Sequence, residues 1–216
     1  MKKFAVLLSG CGVYDGAEIH EATLSLWAIM KHGATYSLFA PDKPQHHVIN
    51  HLTGEEMPES RNVLVESARI ARGQIKALSE YKAADFDALL LPGGFGAAKN
   101  LCDFAFKGAE MTVDPEVEAA LRETVAEGKA VGALCISPVL LAKVFERVNV
   151  TIGADPDTAG AVEAMGGTHL KTGHGEVVKD ARLKLFTTPC YMLDANILQI
   201  AQGAENIVAA IMKEIS

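Results

Sequence analysis

Cys135 stands where an apolar run meets a helical segment, a position that suits a nucleophile. Residues 132–134 (GAL) precede it, and residues 136–138 (ISP) lead into an apolar stretch. Such a strand-to-helix turn presents its side chain at the open edge of a sheet, as a nucleophile elbow does. The helix N-terminus also favours an anion and lowers a thiol pKa. The alternative is an inert core thiol, because free cysteines are usually buried.

Glu18 is the acidic group that could act with this cysteine. It follows a glycine-rich turn after the first apolar run and begins a helical segment. A carboxylate at a helix start is also favourable for the helix alone. If Glu18 faces Cys135 across adjacent strands, it could exchange a proton with the thiol or with a bound carbonyl group. Burial would raise its pKa and suit that task.

Three further places could complete a site at the same edge. The segment 92–96 (PGGFG) could aim the amides of Gly93 and Gly94 at an oxyanion, helped by the Ile136 amide, although a flexible turn is the simpler interpretation. Cys11 and Cys190 each follow an apolar run and could line the pocket. For Cys11, burial in the core is favoured over lining the pocket.

No metal site and no cofactor are expected. The four cysteines form no CxxC motif, and the histidines at 46, 47 and 51 lie in a polar segment where a solvated loop is favoured over a metal site. The formal charge of −7 disfavours nucleic-acid binding. Scattered cysteines fit a reducing compartment better than a disulfide framework.

Apolar runs alternate with amphipathic segments along the chain. Strands are predicted at 3–9, 35–40, 88–91, 130–134, 148–152, 176–180 and 183–187. Helices are predicted at 17–32, 67–77, 115–127, 139–145, 157–165 and 197–215. Near-continuous apolar strands indicate an α/β fold with a doubly wound, mostly parallel sheet and helices on both faces. Ligands of such sheets bind beyond the carboxyl ends of the strands, which selects the turns 10–18, 92–96 and 135–138.

The whole chain, residues 1–216, is predicted to be one domain with a surface insertion around 42–66. The N-terminal apolar run covers only residues 4–8, which is short for a signal peptide and suits a buried strand. No run approaches the ~18 apolar residues of a membrane span, so no membrane association and a cytoplasmic location are expected.

Three motifs carry a resemblance to a known family. Asp15-Gly16-Ala17-Glu18, Leu91-Pro92-Gly93-Gly94 and Leu134-Cys135 resemble the PfpI branch of the class I glutamine amidotransferase-like superfamily, over nearly the whole chain. The string from Leu8 to Gly16 (LSGCGVYDG) is similar to the start of ElbB-like glyoxalases. The resemblance implies a flavodoxin-like fold and a homodimer. It also implies a Cys135 nucleophile with Glu18 as acidic partner, and an oxyanion site near Gly93 and Gly94.

The activity that the resemblance implies is cofactor-independent conversion of glyoxal, a small dicarbonyl, to glycolate. Many relatives have histidine directly after the nucleophile, where this chain has Ile136, and a trailing glycine where it has Ser137. No His-Pro-Glu segment follows Cys135, so glutaminase activity is not expected. Two alternatives use the same residues. One is deglycation of larger adducts, and the other is a non-enzymatic redox-sensing or regulatory role linked to isoprenoid metabolism.

Overall fold

A computed structural model describes residues 1–216, and seven of its nine strands form one sheet. The strands are β1 Lys3–Leu7, β2 Thr35–Ala40, β3 Ile75–Ala77, β4 Ala88–Leu91, β5 Ala130–Leu134, β6 Asn149–Val150, β7 Thr168–His169, β8 Val178–Asp180 and β9 Leu185–Thr188. The sheet order is β3-β2-β1-β4-β5-β9-β8, and only the β8–β9 pair is antiparallel. β6 and β7 form a separate parallel pair. The predicted doubly wound, flavodoxin-like fold is confirmed.

Helices cover both faces of the sheet. They are α1 Ile19–Lys31, α2 Val63–Ile70, α3 Phe95–Lys99, α4 Phe104–Lys107, α5 Pro115–Ala126, α6 Pro138–Val144, α7 Pro156–Ala164 and α8 Ile197–Glu214. Successive side chains of a strand point to opposite faces, so Phe4 and Val6 pack with the residues of α1 and α8 while Ala5 and Leu7 pack with those of α5 and α6. No helix combines the length and the apolar character that crossing a membrane needs.

The segment predicted as a helix at 67–77 is the main error in the predicted elements. The helix is α2, and the chain then turns through Arg72 and Gly73, both with positive φ, before it pairs as β3 with β2. Gly73 takes this left-handed conformation without a Cβ penalty, which ends the helix. The first turn of α2 also lies inside the predicted insertion 42–66, and the rest of that segment forms only isolated bridges such as Ile49 with Glu56.

The sheet topology also corrects the assumption that Glu18 and Cys135 follow adjacent strands. β4 lies between β1 and β5, so the turns that follow β1 and β5 do not leave adjacent strands. The PGG turn after β4 therefore separates the two and contacts both. All three turns nevertheless lie at the carboxyl ends of parallel strands, where the sequence placed them.

Candidate active site

Cys135 occupies a tight elbow between β5 and α6. Its φ of 60° is in the left-handed region, where a non-glycine residue stores roughly 1–2 kcal/mol of strain. The surrounding hydrogen bonds hold it there: the Cys135 N–H donates to the Thr188 carbonyl at 2.9 Å, and the Ser137 hydroxyl donates to the Pro92 carbonyl at 2.7 Å. The elbow that the residue pattern predicted is present, and Ser137 ties it to the PGG turn.

The carboxylate that contacts the Cys135 thiol belongs to Glu21. Its side chain is fully buried and hydrogen-bonded to the thiol. The Gly93 N–H donates to Oε2 at 2.8 Å, and the Tyr191 N–H donates to Oε1 at 3.2 Å. Burial, and then the neighbouring Glu18 charge, raise the pKa of Glu21 to about 7. The group is therefore poised to take or give a proton near neutrality.

Cys135 is held as a thiol by its surroundings. Burial raises its pKa well above the ordinary value, and the Glu21 charge raises it further. The Gly94 and Ile136 N–H groups point at the sulfur and act in the opposite direction, but they do not outweigh burial. The amide at the helix start therefore acts in the expected direction, but burial and the Glu21 charge dominate and the pKa of the thiol is raised. The sulfur needs a base beside it, and Glu21 is that base.

Glu18 lies at the helix start where the sequence predicted it, but it is not the carboxylate in contact with the thiol. It is the N-cap of α1, and its Oε2 accepts the Glu21 N–H at 2.7 Å. Its side chain faces the cavity, where Oε1 lies 4.0 Å from Nδ1 of His20. His20 Nδ1 is hydrogen-bonded at 2.8 Å to the Tyr191 hydroxyl. Glu18 thus holds Glu21 in position and lines the cavity, while contact with the thiol falls to Glu21.

The two predicted oxyanion glycines have separate roles. The Gly93 N–H is taken by Glu21, whereas the Gly94 N–H points at the Cys135 sulfur together with that of Ile136. A Cβ on Gly93 would lie 2.4 Å from the Cys135 Cβ and 2.7 Å from Glu21 Oε2. Only glycine allows this approach. The donors available for an oxyanion on the sulfur are therefore Gly94 and Ile136.

Cys11 and Cys190 do not line the cavity. Cys190 is buried behind Glu21, with its sulfur 3.0 Å from where a Cβ on Gly203 would stand. Cys11 is half-buried, and burial together with the Glu66 carboxylate of α2 raises its pKa. Cys190 therefore packs in the core, whereas Cys11 belongs neither to the core nor to the cavity wall.

The sequence did not single out Glu21 or Tyr191. The available signal for Glu21 was its position three residues after Glu18, since i and i+3 lie on one face of a helix. Tyr191 had no signal, because its backbone amide rather than its side chain contacts Glu21.

The site opens into a cavity of about 360 Å³. Its walls are formed by Val13, Glu18, Gly94, Phe95, Ala98, Phe104, Ala105, Cys135, Ile136, Thr158, Tyr191 and Met192. None of these belongs to the segment 42–66. That segment instead supports the turn after β1, because the Ile49 N–H donates to Asp15 at 2.7 Å and the Tyr14 N–H donates to His51 at 3.2 Å.

No group of three or more histidine, cysteine, aspartate or glutamate side chains is arranged to hold a metal ion. Of the histidines in the polar segment, His46 and His47 pack against the ring of Phe106. What the site offers chemically is a buried thiol, a base in contact with it, two amides aimed at the sulfur and a second carboxylate on the cavity wall.

The comparisons with known proteins agree with this fold. The chain is 46% identical over 98% of its length to the rat protein named "ES1 protein homolog, mitochondrial", covering 83% of that protein. It is 45% identical over 98% of its length to the human "Glutamine amidotransferase-like class 1 domain-containing protein 3, mitochondrial", covering 82% of it. No family model matches the chain.

Solved structures place the fold in the same group. The crystal structure of an isoprenoid biosynthesis protein with amidotransferase-like domain from Ehrlichia chaffeensis superposes with a TM-score of 0.94 at 35% identity, covering all of both chains. Drosophila DJ-1beta, at 18% identity and a TM-score of 0.56, covers 99% of this chain and 95% of its own, and shares the fold alone.

The expected cytoplasmic location is wrong against these comparisons, because the rat and human relatives are both named as mitochondrial proteins. The expectation rested on the short first apolar run and on the lack of a long apolar run, and a folded domain carries no physical mark of its compartment in its core or its site. The sequence identities, the coverage and the shared fold together show that the chain belongs to the ES1 and glutamine amidotransferase-like class 1 domain-containing proteins.

Proposed function

We propose that the protein is a cofactor-independent glyoxalase of the ElbB-like group, which converts glyoxal to glycolate through a hemithioacetal on Cys135. The observation that carries the proposal is the buried contact between the Cys135 thiol and Glu21, whose pKa lies at about 7. A thiol with a base in contact is the arrangement that nucleophilic catalysis at a carbonyl requires.

The first step is addition of sulfur to one aldehyde carbon. Glu21 takes the thiol proton as the C–S bond forms, and the carbonyl oxygen becomes an oxyanion. The Gly94 and Ile136 N–H groups, already aimed at the sulfur, are the donors that would stabilise that oxygen. Glu21 then returns its proton to the oxyanion, which gives the hemithioacetal.

The second step moves a hydrogen between the two carbons. Glu18, on the cavity wall, removes the C–H proton of the hemithioacetal carbon to give an enediol, and then delivers a proton to the neighbouring carbon. One carbon is thereby oxidised to a thioester and the other is reduced to an alcohol. Water hydrolyses the thioester, so glyoxal and water become glycolate and a proton, and the thiol is regenerated.

The test combines three variants with an isotope measurement. Cys135→Ala and Glu18→Gln should each abolish most glycolate formation, while Cys11→Ser, a thiol outside the cavity, should retain it. Glycolate made in D₂O should carry deuterium on its alcohol carbon, because an enediol exchanges its proton through Glu18. Unimpaired glyoxal consumption by Cys135→Ala would end the proposal, and glycolate free of deuterium would show that the hydrogen moves between the carbons without exchange with solvent.

The same variants distinguish the alternatives. Oxidation by peroxide requires an accessible thiolate, and Cys135 is only 7% exposed with a raised pKa, which counts against a redox sensor. A sensor would consume about one peroxide equivalent per chain and no aldehyde. A deglycase would release glycolate from glycated adducts faster than those adducts release free glyoxal.

A further inference from the structure

Formation of the enediol requires a proton donor at the second carbonyl oxygen, the one on the carbon that sulfur does not attack. As Glu18 removes the C–H proton, negative charge moves onto this oxygen, and an acid positioned there speeds such a step by roughly 10²–10⁴-fold. The Gly94 and Ile136 N–H groups point at the sulfur, so they serve the oxygen on the attacked carbon. A separate donor is therefore needed on the cavity wall.

The phenol of Tyr191 is the hydroxyl of the cavity that is available for this task. Besides Glu18 and Cys135, the polar side chains of the cavity lining are those of Thr158 and Tyr191. The Thr158 side chain is already engaged by the Asp155 carboxylate that caps α7. Since Glu18 and Cys135 act as base and nucleophile, Tyr191 remains as the O–H donor.

A short strained turn fixes Tyr191 beside the site. The turn Cys190–Met192 follows β9, and Cys190 has a φ of 42°, in the left-handed region that costs a non-glycine residue roughly 1–3 kcal/mol. The Tyr191 N–H on this turn donates to Glu21 at 3.2 Å. Burial, and then the Glu18 charge, raise the pKa of the phenol. Tyr191 therefore keeps its proton at neutral pH, as an acid must.

His20 connects this phenol to solvent. Its Nδ1 atom is hydrogen-bonded to the Tyr191 hydroxyl at 2.8 Å and lies 4.0 Å from Oε1 of Glu18. The imidazole side chain is 49% exposed, so it can exchange protons with water. With hydrogen on Nδ1, the ring donates to the phenol oxygen and leaves the phenol hydrogen free for the substrate. Histidine suits such a relay because its ordinary pKa is near neutrality.

We infer that Tyr191 is a further catalytic residue, the general acid that protonates the second carbonyl oxygen, and that His20 positions Tyr191 and renews its proton. The inference rests on the proposed function. The contact between a cavity-lining phenol and a half-exposed imidazole beside Glu18 carries it.

The proposed relay keeps every proton accounted for. In the enediol step the C–H electron pair forms the C=C bond, and the second carbonyl oxygen takes the Tyr191 proton. Nδ1 of His20 gives its hydrogen to the phenol oxygen, and the other ring nitrogen takes a proton from water. Glu18 then protonates the second carbon while Glu21 removes the proton from the first oxygen, which leaves the thioester. On hydrolysis Glu21 protonates the departing sulfur and the attacking water releases two protons, so one net proton accompanies each glycolate.

The first experiment removes the phenol hydroxyl. Tyr191→Phe should lower kcat for glyoxal by roughly 10²-fold or more with little change in KM, because the hydroxyl acts only as charge develops. With dideuterated glyoxal, the isotope effect on kcat should be at least as large as in wild type, since the C–H step is the one slowed. Tyr36→Phe, an exposed position on β2, is the matched control and should change neither quantity. An unchanged kcat or a smaller isotope effect in Tyr191→Phe would overturn the inference.

The second experiment tests the supply of protons. His20→Ala should lose activity that added imidazole restores, because free imidazole can enter at this half-exposed position and return the proton. Imidazole should not restore Tyr191→Phe. His174→Ala, in an exposed loop, is the matched control and should keep wild-type activity with or without imidazole. Full activity of His20→Ala, or a loss that imidazole leaves unchanged, would overturn the role of His20.

A measurement without turnover separates this inference from the proposed function. Butane-2,3-dione with ¹³C in both carbonyl groups is added to Cys135→Ala, which cannot form the hemithioacetal. A hydrogen bond to a carbonyl oxygen moves its ¹³C resonance downfield, so the shift on binding should be smaller once Tyr191→Phe is added. Equal shifts in the two proteins, or no shift in either, would overturn the inference.

The two proposals therefore fail in different ways. If wild type converts no glyoxal, the glyoxalase proposal fails, and the butane-2,3-dione shift alone decides whether the Tyr191 phenol donates to a carbonyl oxygen. If wild type and Tyr191→Phe convert glyoxal equally, the inference is overturned and the glyoxalase proposal stands.

Discussion

Glu21 is a buried carboxyl group whose proton is shared with the reacting thiol. Because its pKa is about 7, it is protonated in acid and accepts a proton only above neutrality. We expect kcat/KM for glyoxal to rise through about pH 7 and then level. Glu21→Gln keeps the side-chain shape but removes the base, so activity should fall by roughly 10²–10⁴-fold and the rise should disappear. An unchanged pH profile in this variant would assign the titration to another group.

The same pKa predicts how the protein's stability depends on pH. The folded-state pKa of Glu21 is raised from 4.5 to about 7, so between these values the folded protein binds more protons than the unfolded chain. The free energy of unfolding should therefore fall as pH rises through this window, by up to about 3 kcal/mol for this group. Urea denaturation of wild type and Glu21→Gln at pH 4.5 and pH 7.5 measures the difference. A Glu21→Gln protein that loses as much stability as wild type would contradict the assignment.

The residues of the site were predictable to different degrees. Cys135 was found because a tight strand-to-helix turn leaves a local pattern in the sequence. Glu18 was selected for its place after the glycine-rich turn and Glu21, three residues later, was not considered, because only packing shows which carboxylate points at the sulfur. A one-turn ambiguity on a helix surface cannot be resolved from spacing alone.

Among the connecting elements, the PGG turn depends most strictly on its glycines. Gly93→Ala would place a Cβ 2.9 Å from the Cys135 sulfur and 2.4 Å from the Cys135 Cβ. The backbone fixes the position of both Cβ atoms, so neither can move aside. We expect a loss of roughly 1–3 kcal/mol in unfolding free energy, as in overpacked cores, together with loss of most activity.

Gly160 provides the matched control for this prediction. It lies inside α7, and nothing stands within 4 Å of where its Cβ would be. Gly160→Ala should therefore stabilise the protein by roughly 0.5–1 kcal/mol and leave activity unchanged. If Gly93→Ala and Gly160→Ala changed stability and activity equally, the close approach of Gly93 to Cys135 would be relaxed in solution.

The elements that were predicted well are those with complete local signals. α5 has its N-cap at Asp114 and proline at the first position, and α8 has a capping box at Asn196, so both begin where the sequence predicts. β3 is different, since only three residues pair and their strand character comes from β2 beside them. Its conformation is decided by a tertiary contact, which the helical pattern across 67–77 conceals.

At the scale of the whole molecule, the site lies where the sheet reverses its order. β1 and β4 are neighbours in the sheet with their connections running to opposite sides, and the turns after both strands meet the elbow after β5. Such a switch point is where open α/β sheets bind ligands, which is why fold class alone located the three turns. The cellular compartment leaves no comparable physical signature in the fold, and the predicted cytoplasmic location was wrong.

Self-association is the remaining expectation for the whole molecule. The outer face of α1 exposes Ile19, Trp27 and Met30, the last two at 46% and 56% of their surface. A stable dimer needs about 800 Å² from each partner, with aromatic and methionine side chains at its centre, and this face supplies such residues.

We expect a homodimer at micromolar concentration in sedimentation velocity. Trp27→Glu should shift it to monomer, whereas Leu52→Glu, a 97% exposed residue of the segment 42–66, should not. A wild-type monomer would refute the dimer, and a dimer unaffected by Trp27→Glu would place its interface on another face.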